Sequence, residues 1–504
     1  MGESTTYQNE LKSITKNAGI TALGLVVLNV MSFVNNAIIT RTVGADQYGM
    51  YVLATRILEF LMVAAALGLG QSVIRFISMY AGKNDPRKVK GTILYVLRIT
   101  VLASLGFALI IFLLSEIVST RIFKRPELAY YLKILMIALP CGVMLNTVLH
   151  IFIGLKQVKY QVLMANLASP LLFFVLISAT FLLGYRLDGL VWMHIANIVF
   201  IAAAAWIILR QTYFRKVAET EIQLETRKIW NYNIPVYAAH FANTAFRLTP
   251  IFIMGYFLSN EEVGIFNVSY KVGALVLFSM SAFRLIFLPT ISELFAKKDI
   301  ATISGLFKTV TKWIFTFGLI IFAMVAAFDV TILKIFGDEF ASGALVLLLV
   351  MAGELVNAST GLVGAIILMS GRSKVVLVNS VIQFAMIAGL AWWLTPLYGS
   401  AGTALAYAIA MLIMNAVRII ELYRFEKIHP YKLSTIKPAI AVLAGILPVY
   451  YLSRVLEMNA HLELFAGFVL FILIFAGVIL LLRLDRDDRY ILDAIFAQLR
   501  SRKK

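Results

Sequence analysis

Apolar runs of roughly twenty residues, each bounded by charge, glycine or proline, recur along the whole chain, and each is long enough to carry one helix across a bilayer. They predict fourteen spans, near residues 17–39, 50–74, 91–115, 128–154, 160–183, 188–209, 231–257, 264–290, 306–328, 341–370, 374–395, 399–421, 435–453 and 461–483. The run at 341–370 exceeds one span and is expected to tilt or to begin with an interfacial turn. Beyond the last run, Ile491, Leu492, Ile495, Phe496 and Leu499 share one helical face, predicting an interfacial helix over 488–499 that ends in basic residues. The polar opening residues, followed by many spans, predict no cleaved signal peptide. The match of Gly2 and Thr6 to an acylation pattern is of the short kind that chance supplies.

Composition narrows the class. The 504 residues are 61% hydrophobic and 14% charged, with a mean hydropathy of +0.87. Soluble domains are about half apolar and a quarter charged. The predicted fold is an all-α polytopic membrane protein, with no room for a separate soluble catalytic domain. Cys141 stands alone, so no disulfide scaffold is available.

The net charge of +18 would suggest nucleic acid in a soluble chain. Here its distribution matters more. Taking the N-terminus as inside, 29 Lys and Arg fall in segments on that side and 7 on the other. This bias places both termini in the cytoplasm of a cell (inner or plasma) membrane protein and makes the span count even. Membrane lipids are the expected partner of the basic surface, and no nucleic acid is.

A shift of about 215 residues lays the first half of the chain on the second. Val43-Gly44-Ala45-Asp46-Gln47-Tyr48-Gly49-Met50-Tyr51 falls on Leu258-Ser259-Asn260-Glu261-Glu262-Val263-Gly264-Ile265-Phe266. In the same register Arg56 meets Lys271 and Lys83 meets Lys298. Each repeat holds an even number of spans, so the two are parallel repeats, whose interface is where transporters of this design place substrate. The expected division is a cytoplasmic N-terminus (1–16), a six-helix bundle (17–209), a cytoplasmic linker (210–230), a second six-helix bundle (231–421), two additional helices (422–483) and a basic cytoplasmic tail (484–504).

An ionisable residue within a span costs a few kcal/mol on insertion scales and by default faces a partner or a wet cavity. Arg98, Lys133, Arg284, Lys308, Lys312 and Arg418 lie near span ends, where snorkelling to headgroups accounts for them. Arg56 and Lys271 lie deeper, each seven residues past the repeat-related glycines Gly49 and Gly264, which is about 10 Å at the helical rise. Glu59 shares the face of Arg56 at i+3. A purely structural Arg56–Glu59 pair with Lys271 snorkelling is the alternative to a cavity. In the seventh span His240, Asn243, Thr244 and Arg247 form a polar stripe between Pro235 and Pro250, and Asn29, Ser32, Asn36 and Thr40 form a milder one in the first. A packed polar helix pair is the alternative to an aqueous cavity lined by spans 1, 2, 7 and 8. Glu59 and Glu354, the latter one turn from Asn357, are the candidates for ion coupling. The inferred cavity is electropositive, which favours an anionic substrate, and arginine suits phosphate through its bidentate fork.

Other chemistry finds no support. The five histidines lack metal-ligand spacing, and no phosphate-cradling P-loop is present. No metal, no cofactor and no enzymatic activity are expected. Asp485-Arg486-Asp487 reads as a solvated charge run.

The segment from Asn36 to Arg75, carrying Arg41-Thr42-Val43-Gly44, Tyr48-Gly49-Met50-Tyr51, Ala66-Leu67-Gly68-Leu69-Gly70 and Arg75, resembles the opening of polysaccharide-transporter flippases. These belong to the multidrug/oligosaccharidyl-lipid/polysaccharide (MOP) exporter superfamily. The resemblance implies two six-helix bundles, alternating access, and a substrate of sugars linked by diphosphate to a polyprenol. It further implies that Arg56, in span 2, matches an essential cavity arginine of lipid II flippases. Lys271 would take the comparable place in span 8, keeping the charge but losing the fork. Spans 13 and 14 would form a lipid groove.

The expected function is therefore a flippase moving a lipid-linked oligosaccharide from the cytoplasmic to the outer leaflet, with glycosyltransferases and a polysaccharide polymerase as partners. The rivals are an ion-coupled multidrug or cation exporter, which needs an acidic cavity, and a membrane-embedded glycan-modifying enzyme.

Overall fold

A computed structural model describes residues 2–455 and 460–482. The predicted helix at 488–499, the basic tail and the side chains of the Gly2–Thr6 pattern lie outside the described residues. Every regular element among the described residues is helical. Among the described residues, nine helices are long and apolar enough to cross a membrane, or ten if the pair Leu128–Leu135 and Ala138–Gly154, bent by 47°, is one span. The protein is a multi-pass membrane protein. Helices answer the bilayer's demand that backbone polar groups be satisfied within the segment.

Two of the nine exceed any single crossing. Leu23–Ala65 has 43 residues and Ser373–Glu426 has 54. Each is divided by one non-helical glycine, Gly44 (φ 79°) in the first and Gly399 (φ 59°) in the second. Gly44 falls between two predicted spans and Gly399 on the first residue of one, and only a residue without Cβ reverses the chain so sharply at little cost.

Contacts divide the chain into two compact units. The first comprises residues 1–268 and 380–403. It holds α1 (Gly2–Ala65), α2 (Leu69–Gly82), α3 (Pro86–Ile117), α4 (Leu128–Leu135), α5 (Ala138–Gly154), α6 (Val158–Val162), α7 (Ser169–Leu182), α8 (Leu187–Leu209), α9 (Thr226–Phe257) and the start of α10 (Asn260–Gly273). Its core gathers Leu69, Ile77, Ile93, Val148 and Phe152 from α2, α3 and α5. The second comprises residues 269–379 and 404–504. It holds the end of α10, then α11 (Leu277–Ala296), α12 (Ile300–Ala327), α13 (Asp329–Lys334), α14 (Ala344–Ser359), α15 (Val363–Met369), both ends of α16 (Ser373–Glu426), α17 (Ile436–Val455) and α18 (Ala460–Leu481). Phe328, Val442, Val449 and Phe471 form an apolar cluster joining α17 and α18 to the end of α12.

Several spans read as continuous are broken. The run 50–74 is interrupted at Leu67 (φ 50°) and Gly68 (φ 70°). Asn233 of α9, fully buried, repairs the break: its Nδ2 donates to the Leu67 carbonyl at 2.7 Å and its Oδ1 accepts from Ser72 Oγ at 2.7 Å. Buried backbone groups freed by a helix end must find such partners. The run 264–290 passes through a 3₁₀ turn at Ala274–Val276. The run 341–370 opens on a 3₁₀ turn, Asp338–Gly343, and breaks again at Thr360–Leu362. Hydropathy alone misses these breaks because the residues at them are mostly apolar or small.

The repeat found in the sequence recurs in the backbone. Left-handed residues appear at Lys156 and Gly371 and at Gly184 and Gly399, both pairs 215 apart, and at Asn84 and Lys298, one residue short of that. Asp85 and Asp299 cap α3 and α12 identically, each accepting the amide three residues on, at 3.1 and 3.0 Å.

Candidate functional site

Of the helices of 18 residues or more in the first unit, α9 is not among those apolar enough to cross by composition, although it has 32 residues. The cause is its polar stripe. His240, Asn243 and Arg247 stand exposed on one side, whereas Thr244 is buried. The element continues through both Pro235 and Pro250. Asn29 and Ser32 of α1 are also exposed, and the Asn29 and Asn243 amides each donate back to the carbonyl one turn earlier, at 2.7 and 2.9 Å.

The stripe meets α1 at Glu59. This carboxylate accepts from Arg56 Nη1 at 2.6 Å through Oε2 and from Arg247 Nη2 through Oε1. Arg56, Glu59 and Arg247 side chains are 26%, 28% and 48% exposed, so the cluster is half-sheltered and opens toward Arg247. Two guanidiniums share one carboxylate, leaving the cluster one positive charge in excess. The Arg56–Glu59 pair expected from i+3 spacing is present, but it is part of a triad and not an isolated pair.

A polar chain extends inward from Arg56. Its Nη2 donates to Asn267 Oδ1 at 3.3 Å, Asn267 Nδ2 donates to Tyr48 Oη at 2.7 Å, and Tyr48 Oη donates to Asn36 Oδ1 at 2.8 Å. Tyr48 and Asn267 are almost wholly buried. A fully connected buried network of this kind rigidifies what it touches, here the guanidinium of Arg56. Neither Asn267 nor Tyr48 stands out as a site residue in the sequence. Asn267 lies one turn before Lys271 in an apolar helix, which is a usable signal, whereas Tyr48 belongs to the repeat and to the motif of the family resemblance, neither of which points to this role. Nearby, Tyr51 Oη bonds His194 Nδ1 at 2.9 Å, and Phe173 meets the same ring edge-on.

Lys271 stands near the end of α10 in the second unit, half-buried. Glu354, in α14 of that unit, is fully buried. Tyr407 Oη donates to its Oε1 at 2.5 Å and Asn357 Nδ2 approaches Oε2 at 3.5 Å. Tyr270 packs edge-on against Tyr407. Of the cations assigned to snorkelling, Lys133 reaches an exposed Glu116 at 2.7 Å, whereas Lys312 is 6% exposed, because helix packing covers its side chain. Among the described residues no group of His, Cys, Asp and Glu could hold a metal ion.

A family model described as polysaccharide biosynthesis protein matches residues 14–295, more than half of the chain. The chain belongs to that family. No curated protein matches it. Solved structures do match. The lipid II flippase MurJ in an inward closed conformation is 11% identical, with a TM-score of 0.73 over 91% of this chain and 97% of that one. An inward-facing multidrug resistance MATE family transporter of the MOP superfamily is 12% identical, with a TM-score of 0.70 over 79% and 94%. A MOP superfamily transporter from Pyrococcus furiosus, described by a binding pocket of reversed polarity, is 12% identical, with a TM-score of 0.60 over 82% and 96%. At such identities the likeness is one of fold. The family member thus has the fold of these solved transporters, as the resemblance of its opening segment implies.

Proposed function

We propose that this polysaccharide biosynthesis family member is a flippase that carries a polyprenyl-diphosphate-linked oligosaccharide from the cytoplasmic to the outer leaflet by alternating access. Both termini are then cytoplasmic, and the protein works beside glycosyltransferases and a polymerase. The observation carrying this reading is the Arg56–Glu59–Arg247 triad. Its single carboxylate positions two guanidiniums without neutralising both, and Arg247 remains the most exposed of the three. A diphosphate entering beside Arg247 meets an oriented fork, the geometry in which arginine binds phosphate best. His240 and Asn243 on the same stripe offer hydrogen bonds to sugar hydroxyls, as do Asn29 and Ser32 of α1. Lys271, near the end of α10, is a further candidate cation for the substrate. Passing charged and hydroxylated groups through such a wet path avoids the cost of placing them in hydrocarbon. Glu59 and Glu354 are the residues that would couple transport to an ion.

A cation exporter has less support, because the one carboxylate in the cluster is already bonded twice by arginine. The test is complementation of a flippase-deficient strain at normal expression. Arg56→Ala, Arg247→Ala and Lys271→Ala are each expected to abolish surface polysaccharide while the protein stays in the membrane. Export that survives the triple substitution would overturn the assignment.

A further inference from the structure

A second cluster of opposite charges lies in the first unit, where the end of α2 meets the start of α9 and the residues leading into it. A cavity of about 500 Å³ opens there, lined among others by Arg75, Lys83, Asp85, Lys88, Glu225 and Lys228. Both carboxylates are spoken for. Glu225 accepts from Lys228 at 2.6 Å, from Lys88 at 2.7 Å and from Tyr80 Oη at 3.1 Å. Asp85 caps α3 and lies 3.8 Å from Lys88. Four cations against two carboxylates leave two positive charges, and the cations outside these pairs are Arg75 and Lys83. Arg75 lies over the Tyr232 ring, its guanidinium carbon 4.0 Å from the centroid. A cation–π contact of this kind holds the guanidinium in place while leaving N–H groups available to a ligand.

The wall of this cavity is built and not incidental. The segment after α8 is strapped to the first turns of α3. Lys90 Nζ donates to the carbonyls of Ala218 and Thr220, both at 2.8 Å, and Arg87 pairs with Glu221 at 3.2 Å. The Gln223 amide donates to the Arg87 carbonyl at 3.3 Å. Gly91 permits this approach, since a Cβ there would stand 2.2 Å from the Gln223 carbonyl oxygen. The strap brings Glu225 and Lys228 against α2, and with them the charge balance of the cavity.

We infer that this cavity is an anion site for a phosphate or diphosphate group, with Arg75 as the oriented fork and Lys83 as the point charge. The excess of two charges matches a diphosphate or a dianionic phosphomonoester, and Tyr80 and Tyr232 flank the cations with aromatic surface. It is separate from the Arg56–Glu59–Arg247 triad and stands or falls without it. The phosphate can come from a soluble molecule or from an anionic lipid headgroup, which basic surfaces beside membrane helices attract.

The experiment uses the purified full-length chain. Binding of inorganic pyrophosphate is followed by calorimetry in detergent. Retention of phosphatidic acid is followed by native mass spectrometry after extraction from nanodiscs containing phosphatidylcholine with or without phosphatidic acid. The double variant Arg75→Ala/Lys83→Ala is expected to weaken binding at least tenfold, and Arg75→Lys to fall between it and the unaltered chain. Arg227→Ala, an exposed neighbour outside the lining, should change nothing. Lys83→Ala alone, at an exposed side chain, serves if the double variant does not fold. Loss confined to phosphatidic acid assigns the site to a lipid headgroup, and loss confined to pyrophosphate to a soluble phosphate. The inference fails if the unaltered chain binds neither probe, if the variants bind as it does, or if Arg227→Ala weakens binding equally.

Discussion

Gly49 and Gly264, which the internal repeat places in register, pack backbone against backbone. A methyl group on Gly49 would lie 1.7 Å from the Asn260 carbonyl oxygen and 3.0 Å from the Gly264 amide nitrogen. One on Gly264 would lie 2.4 Å from the Ala45 carbonyl oxygen. The contact brings the beginning of α10 onto α1, and with it Asn267 to Arg56. Overpacking a fitted contact costs about 1–3 kcal/mol, and here the obstacle is backbone that cannot rotate away. Gly49→Ala is expected to lower the thermal midpoint in detergent clearly. Gly106→Ala, with nothing within 4 Å of its added Cβ, should leave it unchanged or raise it.

The triad sets an order among its members. Arg56 is less exposed than Arg247 and has a second partner in Asn267, so removing it strands more. Arg56→Ala is expected to destabilise by about 1–3 kcal/mol and Arg247→Ala by about 1 kcal/mol or less, between the values for buried and surface pairs. Thermal unfolding of the two variants, each repeated in a Glu59→Gln background, reads this. Equal losses, or losses independent of Glu59, would contradict the arrangement.

Glu354 presents the opposite case, a buried carboxylate whose nearest donor is a tyrosine hydroxyl. Tyr407→Phe removes that donor and leaves the carboxyl short of a partner, at a cost of about 1–3 kcal/mol. Glu354→Gln keeps an oxygen for Tyr407 and is expected to cost less. Should the phenylalanine variant melt with the unaltered protein, the hydrogen bond is not holding α14 to α16.

The strap after α8 has its own pH dependence. Lys228, then Lys88, hold the Glu225 carboxyl down to about 2 from its ordinary 4.5, with Tyr80 donating as well. A depressed folded value means that the pairing contributes fully above the ordinary carboxylate range and fades as pH falls toward 2. The segment 215–225 should therefore resist pepsin at pH 4 and be cut rapidly near pH 2. Glu225→Gln should be cut rapidly already at pH 4. No change is expected between pH 5 and pH 8.

Much of the fold was legible without coordinates, because each span must pass the bilayer's test by itself. Some twenty apolar residues are needed whatever lies beside them, so helices such as α3, α8 and α12 stand close to where hydropathy puts them. The breaks at Leu67–Gly68 and Ala274–Val276 escaped, since they interrupt hydrogen bonding and not hydrophobicity. Within the candidate site, Arg56, Glu59 and Arg247 declared themselves as charges in apolar helices. The sequence grouped them in one cavity, but that Glu59 bonds both arginines did not show, and neither did Asn267 or the Tyr48 relay behind Arg56.

The sequence by itself determined that this chain is helical, membrane-spanning, duplicated and studded with a few intramembrane charges, because those properties reside in local composition and in a constant spacing along the chain. Only the tertiary structure decided which charges meet. Glu59 is taken by an arginine three residues away and by another 188 residues away, and Arg56 by an asparagine 211 away. Such pairings depend on where helices break and how closely backbones such as those of Gly49 and Gly264 approach, and a side chain's partner follows from that packing, not from its own position in a hydrophobic run.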